Sequence, residues 1–213
     1  MYFSKKSIFI SFGAIAALTS VTIVTAKYLI YTTNFFAESK NPLTGIYGQD
    51  ALLLSELNIW LFLIANGYLL VKCLLVSFCL YTGFFIAGRV LSFRQIFGVV
   101  TLAESAFIIS ALLKVCWFHW RYPNGSLMEW HSVYMLSIIG FFNHVPAAWS
   151  YALQTMNGFE LVYILTMAFG ISRMTGNTYK NELTVVAASY MPVLLLWVVI
   201  VTFCTILYFP DHT

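Results

Sequence analysis

Two ionisable residues lie inside apolar runs that are long enough to cross a bilayer. Lys72 stands in the run LLVKCLLV, and Glu104 stands in VVTLAESAFII. An ionised side chain in the hydrocarbon core costs a few kcal/mol or more, so such residues usually face protein and find a partner there. A Lys–Glu pair of this kind can act as a structural clasp between helices, as a contact with another subunit, or as a relay for protons or ions.

Other polar residues in or near the apolar runs are weaker candidates for function. Asn66, Asn157 and Glu160 can form hydrogen bonds within helices or at their ends. Lys27 and Lys114 fall near the ends of their runs, and we expect both ammonium groups to extend towards the membrane interface.

Three histidines raise the question of a metal-dependent membrane enzyme. His119, His131 and His144 share one side of the predicted bundle with Glu129, and zinc accepts such a set of ligands. Their spacing forms no i, i+4 pair and no HExxH motif, and the sequence has no GxSxG, Walker or dinucleotide-binding motif. We therefore predict no metal or other cofactor, and the sequence favours a protein that is not an enzyme.

Composition predicts the elements that must position these residues. The 213-residue chain is 61% hydrophobic and 9% charged, whereas a soluble domain has about 25% charged residues. A spanning helix needs about 20 mainly apolar residues. We predict an all-α polytopic membrane protein with one transmembrane domain over residues 1–213 and five transmembrane helices, near 8–31, 58–87, 95–117, 153–172 and 183–208.

One further apolar stretch, Ser132–Phe142, is too short to cross a bilayer. It is predicted to form a short outer helix that either lies at the interface or re-enters the membrane, packed on protein.

The basic residues predict the orientation of the bundle. Cytoplasmic loops carry an excess of Lys and Arg. With five spans, six basic residues fall on one side and two on the other: Lys5, Lys6, Arg89, Arg94, Arg173 and Lys180 against Lys40 and Arg121. The amino terminus is therefore predicted to be cytoplasmic and the carboxyl terminus outside, as in a protein of the bacterial inner membrane.

The predicted spans indicate how Lys72 and Glu104 are placed. Spans two and three are joined by a short link, so they are expected to be antiparallel neighbours, and a long lysine side chain can reach the carboxylate. Pairing would remove the penalty of each charge. A relay is less favoured, because Pro192 is expected to kink span five while no second broken helix is predicted to mirror it.

Two stretches resemble the bacterial branch of the Yip1-like membrane proteins. The first is GFFIAGRVLSFRQIFGVVTLAESAF, from Gly83 to Phe107, and the second is LQTMNGFELVYILTMAFGIS, from Leu153 to Ser172. The first resembles that family's short Phe-Arg-Gln turn between two helices, and the second its Asn-x-Phe helix with a glycine near the end. The resemblance implies a compact five-helix bundle with no known catalytic residues.

Three functions remain open at this stage. The favoured one is a non-enzymatic integral membrane subunit or scaffold of a larger complex, because little mass lies outside the membrane. The alternative is a small transporter or lipid-handling protein that uses Lys72 and Glu104, and the third is an outer-facing metalloenzyme. Membrane lipids and other membrane subunits are the expected partners. Nucleic acid is not, because no basic run could follow a phosphate backbone.

Overall fold

The computed structural model describes residues 5–30, 51–123, 125–142 and 145–208. Within these ranges the chain is helical and contains no strand. Four helical stretches are long and apolar enough to cross a membrane, and they are Lys6–Leu29, Ile59–Ile86, Phe93–Arg121 and Tyr179–Leu207. These stretches agree with four of the five predicted spans and indicate an all-α, membrane-embedded protein.

The helices are numbered in chain order. They are α1 Lys5–Leu29, α2 Ala51–Ile86, α3 Phe93–Ala103, α4 Ser105–Arg121, α5 Leu127–Ser132, a 3-10 helix Ile138–Phe141, α6 Ala147–Thr155, α7 Gly158–Thr175 and α8 Tyr179–Tyr208. The stretch Phe93–Arg121 comprises α3 and α4, which meet at Glu104. There the Glu104 carbonyl accepts a hydrogen bond from the Phe107 N–H at 3.0 Å, which is the tighter i to i+3 pattern.

The two ends of the bundle differ in chemistry. We call one the basic end, marked by Arg89, Arg94 and Arg173, and the other the aromatic end, marked by Trp117, Trp120 and Trp130. Helix α1 runs parallel to α3 and α4, because Phe12 stacks on Phe97 near the basic end and His119 contacts the last turn of α1 near the aromatic end.

The prediction of one continuous helix over residues 153–172 is wrong. The chain forms α6 and α7 there, separated at Met156 and Asn157. Asn157 is extended, with φ −132° and ψ 160°, and its side-chain oxygen accepts a hydrogen bond from the Glu160 N–H at 2.8 Å. The side chain thereby satisfies a free N–H group in the first turn, so a new helix begins at Gly158.

The two half-helices together follow α8. Helix α7 runs antiparallel to α8 and ends at the basic end, where α8 starts. It begins beside Tyr190, which lies about 17 Å from the start of α8 at 1.5 Å per residue. Helix α6 packs on the later part of α8, where the Trp197 indole donates a hydrogen bond to the Tyr151 hydroxyl at 2.9 Å.

The segment 133–142, here called the re-entrant segment after one of the two placements predicted for it, lies against the break between α6 and α7. Of the short helix predicted over Ser132–Phe142, the segment forms only the 3-10 helix Ile138–Phe141. The Ile138 N–H donates to the Met156 carbonyl at 3.0 Å, and the Gly158 N–H donates to the Leu136 carbonyl at 3.0 Å. These bonds satisfy backbone groups that the interrupted helix leaves free, which buried non-helical backbone in a membrane requires.

Glycines allow the helices around the core to approach closely. A Cβ atom built on Gly83 of α2 would lie 1.7 Å from the Ser189 Oγ of α8, and one built on Gly170 of α7 would lie 2.7 Å from a methyl group of Val99 in α3. Helix association in membranes depends on such close packing, because lipid provides no hydrophobic drive to bring helices together.

Candidate functional site

The structure brings Lys72 and Glu104 together within one chain. The Lys72 Nζ lies 2.9 Å from the Glu104 Oε2, and the exposed fractions of the two side chains are 24% and 4%. By helical rise, Lys72 lies about 21 Å from the end of α2, and Glu104 about 17 Å from the start of α3. Both distances are measured from the basic end, so the pair would lie near the middle of a hydrocarbon core about 30 Å thick.

Aromatic rings enclose the ammonium group of Lys72. The Nζ lies 3.7 Å from the centre of the Phe107 ring and 5.2 Å from that of Tyr163. The two rings contact each other at 4.9 Å between centroids. A cation over an aromatic face is attracted by the ring quadrupole, so α4 and α7 stabilise the lysine in addition to its carboxylate partner.

A second carboxylate belongs to the same cluster. Glu160 lies in the first turn of α7, and its Oε1 accepts a hydrogen bond from the Tyr190 hydroxyl at 2.5 Å. It is close enough to interact electrostatically with both Lys72 and Glu104. Glu160 lies near a helix end, as the sequence allowed, but that end is the start of α7, which the break places beside Tyr190, well inside α8.

We call these residues the Lys72 cluster, and its members are Lys72, Glu104, Glu160, Tyr163 and Tyr190. The cluster contains more acidic groups than basic ones. When ionised, it carries one positive and two negative charges. Tyr163 is fully buried and packs on Tyr190 at 5.6 Å between ring centroids, so apolar ring surface covers one side of the charged groups. The arrangement therefore leaves one carboxylate without a cation, and a proton or a small cation would neutralise it.

The other predicted polar residues lie elsewhere. The Asn66 Nδ2 donates hydrogen bonds to the Phe62 carbonyl at 2.9 Å and to the Ser20 hydroxyl at 3.3 Å, so it joins α2 to α1. It is not part of the Lys72 cluster.

The histidines do not form a ligand set in the part of the chain that the structure describes. The His119 Nδ1 lies 3.1 Å from the Leu29 carbonyl oxygen, which links α4 to α1, and His131 is exposed at the end of α5. His144 lies outside the described residues. Among those that are described, no group of three or more His, Cys, Asp or Glu side chains is placed to hold a metal ion.

A second ion pair was not predicted from the sequence. Glu182 in the first turn of α8 is fully buried and pairs with Arg89, which follows α2. The same carboxylate accepts hydrogen bonds from Asn177 at 2.8 Å and Thr175 at 3.0 Å. These contacts connect the link between α2 and α3 to the link between α7 and α8 at the basic end. An acid in the first turn of a helix was its only signal in the sequence.

Comparison with known proteins gives no match. No protein-family model, no curated protein and no solved structure is significantly similar to this chain. The resemblance to Yip1-like proteins therefore stays a prediction, and the functional argument rests on the geometry of the chain itself.

Proposed function

We propose that this chain is a small transporter that links the movement of a solute to the binding of a proton at the Lys72 cluster. It crosses the membrane five times, with α6 and α7 together forming the fourth crossing. The basic end faces the cytoplasm, because Lys and Arg are retained on that side. The carboxyl terminus then lies outside.

The observation that carries this proposal is the surplus carboxylate. A structural clasp needs only Lys72 and Glu104, which satisfy each other at 2.9 Å. Glu160 adds a second negative charge beside them, and a tyrosine hydroxyl holds it in place. Glu160 is partly buried, and a partly buried charge within an apolar bundle that lacks its own counter-ion favours a functional role, such as holding an exchangeable proton.

The broken helix supports the same function. Transporters commonly place their sites near the middle of the bilayer, where a discontinuous helix directs its amino-terminal half-dipole at a ligand. Here α7 begins at this depth, and Glu160 lies in its first turn. The sequence argument against a relay was that no second broken helix accompanied Pro192, but the chain is interrupted at Asn157 and again at Glu104.

The test is proton binding and proton movement by the purified full-length protein. Infrared difference spectra recorded across a pH titration should show the carbonyl band of a protonated carboxyl group, and Glu160→Gln should remove it. In liposomes with an imposed potassium diffusion potential, the wild type should change the internal pH faster than protein-free vesicles, and Glu160→Gln should not.

Glu129→Gln provides the matched control. Glu129 lies at the aromatic end, where it caps α5 through the Ser126 N–H at 2.8 Å, and glutamine can keep that bond. This variant should behave as the wild type in both assays. If the wild type shows neither the band nor the proton movement, or if Glu129→Gln and Glu160→Gln lose them equally, the proposal is wrong.

A subunit of a larger membrane complex is the second candidate. Its support is a groove of about 350 Å³ between α1 and α2, lined by Ser20, Val21, Val24, Thr25 and Phe62. Small and hydroxylated side chains in such a groove favour close helix contact. A Val24→Trp variant should lose partners that the wild type retains in mild detergent, whereas a Lys72 variant should not, because Lys72 is paired within its own chain.

A further inference from the structure

A cavity of about 200 Å³ lies on the aromatic side of the Lys72 cluster. One wall is α4, with Phe107, Ser110 and Lys114. The others are the re-entrant segment, with Tyr134, and the break between α6 and α7, with Gln154. The cavity is therefore lined by the parts of the chain that depart from regular helix, where backbone and polar side chains are accessible to a ligand.

Lys114 gives this cavity a positive charge. Its Nζ lies 4.4 Å from the centre of the Trp130 ring, and no carboxylate within the described ranges forms an ion pair with it. Simple extension towards the interface was expected for this lysine. In the structure it lines the cavity instead, half-buried and about 10 Å along α4 from Arg121. A partly buried cation without a counter-charge favours the binding of an anion.

Hydrogen-bond donors surround the same space. The side chains of Ser110, Tyr134 and Gln154 line the cavity, and each has a donor for which the described part of the chain shows no protein acceptor. Asn157, which begins α7, also lines it, so the positive end of the α7 dipole faces the cavity. These donors match the several acceptor oxygens of a carboxylate or a phosphate group.

We propose that this cavity binds the carboxylate or phosphate group of the solute that the protein carries, with Lys114 as its counter-ion; the inference rests on the transport function proposed above. A volume of about 200 Å³ is many times the space that one water molecule needs, so the cavity accommodates an anionic head group. The rest of a larger ligand, such as the tail of a lipid, would have to lie outside the cavity.

The position of Phe107 connects the cavity to the Lys72 cluster. Its ring lines the cavity and also covers the Lys72 ammonium group at 3.7 Å. An anion held by Lys114 is thus separated from a second buried lysine by a single aromatic side chain. Rotation of that ring would expose Lys72 to the anion, and the proton at Glu104 or Glu160 would then keep the cluster neutral.

The first experiment measures anion binding by the full-length protein in an uncharged detergent. Inorganic phosphate and acetate are titrated calorimetrically, with chloride at equal ionic strength as the reference. Loss of a charged hydrogen-bond partner should weaken binding by about tenfold or more in Lys114→Gln. Lys114→Arg should retain binding, and Gln154→Leu should weaken it without changing the charge. Lys27→Gln, which removes a lysine near the same end of the bundle, is the matched control and should bind as the wild type.

The second experiment identifies the source of the anionic group. The protein is placed in nanodiscs of phosphatidylcholine with and without phosphatidylglycerol, and the lipids that stay bound are counted by native mass spectrometry. Retention of phosphatidylglycerol that depends on Lys114 assigns the site to a lipid head group. Binding of free phosphate or acetate that depends on Lys114, without such retention, assigns it to a soluble solute.

The outcomes separate this inference from the proposed function. If neither phosphate, acetate nor phosphatidylglycerol distinguishes Lys114→Gln from Lys27→Gln, the anion site is wrong, whatever the proton assays show. If the anion binds at Lys114 but the infrared band and the proton movement are absent in the wild type, the cavity stands as a binding site and the proton-linked function is wrong.

Discussion

Removing Lys72 should damage the protein more than removing Glu104. In Lys72→Met the Glu104 carboxyl group, whose side chain is 4% exposed, loses its cation in an apolar environment. Breaking a buried pair from one side costs about 3–5 kcal/mol, because an uncompensated charge remains. Glu160 lies close by with the same sign of charge, which places the expected loss in the upper part of that range.

The loss in Glu104→Gln should be smaller, about 1–3 kcal/mol of unfolding free energy. Lys72 keeps the Phe107 ring at 3.7 Å, and a desolvated cation–π contact contributes about 2 kcal/mol. It also keeps Glu160 nearby as a negative charge, and its own side chain is 24% exposed, so part of it remains solvated. The two single variants should therefore differ by about 1–4 kcal/mol, with Lys72→Met the less stable.

The double variant Lys72→Met with Glu104→Gln should recover most of the loss. Replacement of both members of a buried pair by neutral residues of similar size is often close to neutral. A double-mutant cycle measured by reversible unfolding in mixed micelles, with Lys27→Met as the control, gives the coupling energy. Additive single effects, or equal losses from the two single variants, would show that the pair is not coupled as the distance of 2.9 Å implies.

Three more predictions concern other contacts. Glu182→Gln should reduce the unfolding free energy by about 3–5 kcal/mol, because Arg89 loses its buried partner. Denaturation in detergent measures this loss, and an effect smaller than that of replacing an exposed acid would contradict the prediction. Gly83→Ala should cost about 1–3 kcal/mol by overpacking, and Ser189→Gly in the same chain should restore stability, whereas no rescue would place the strain elsewhere. Asn157→Ala should reduce the unfolding free energy by about 0.5–2 kcal/mol, because α7 loses its cap. It should also weaken the infrared band assigned to Glu160, and an unchanged band would show that the cap does not affect that carboxyl group.

Four of the five predicted helical spans could be predicted because length and apolar composition are properties of a continuous stretch of chain. Proximity of Lys72 and Glu104 also follows from local reasoning, since the short link that contains Arg89 makes α2 and α3 adjacent and antiparallel. Neither argument requires knowledge of how distant parts of the chain meet. Apolar length and the short link therefore identify the long apolar helices and the Lys72–Glu104 pair, but they do not identify the other partners of these residues.

Contacts between residues that are distant in the sequence could not be predicted in the same way. The Glu160–Tyr190 contact joins α7 to α8, and the Arg89–Glu182 pair joins the residues after α2 to α8. Both depend on how distant helices pack, and no pattern in a single stretch records this. The break in the fourth span did leave a signal. Asn157 followed by a glutamate three residues later is a helix-start pattern. The apolar run over residues 153–172 is continuous across Asn157, and it favours a single helix.

The break between α6 and α7 and the surplus charge depend on each other physically. A continuous helix through Asn157 would need no cap, and its backbone would need no partners from the re-entrant segment. Because α7 begins there, its first turn carries free N–H groups and a positive end, which stabilise an acid at Glu160. Interrupting a helix in an apolar environment costs energy. Part of that cost is offset because the positive end of α7 stabilises a carboxylate that the Lys72–Glu104 pair cannot neutralise. A fold that only required a clasp between α2 and α3 would need neither feature, and their occurrence together is the structural reason to assign the cluster a function.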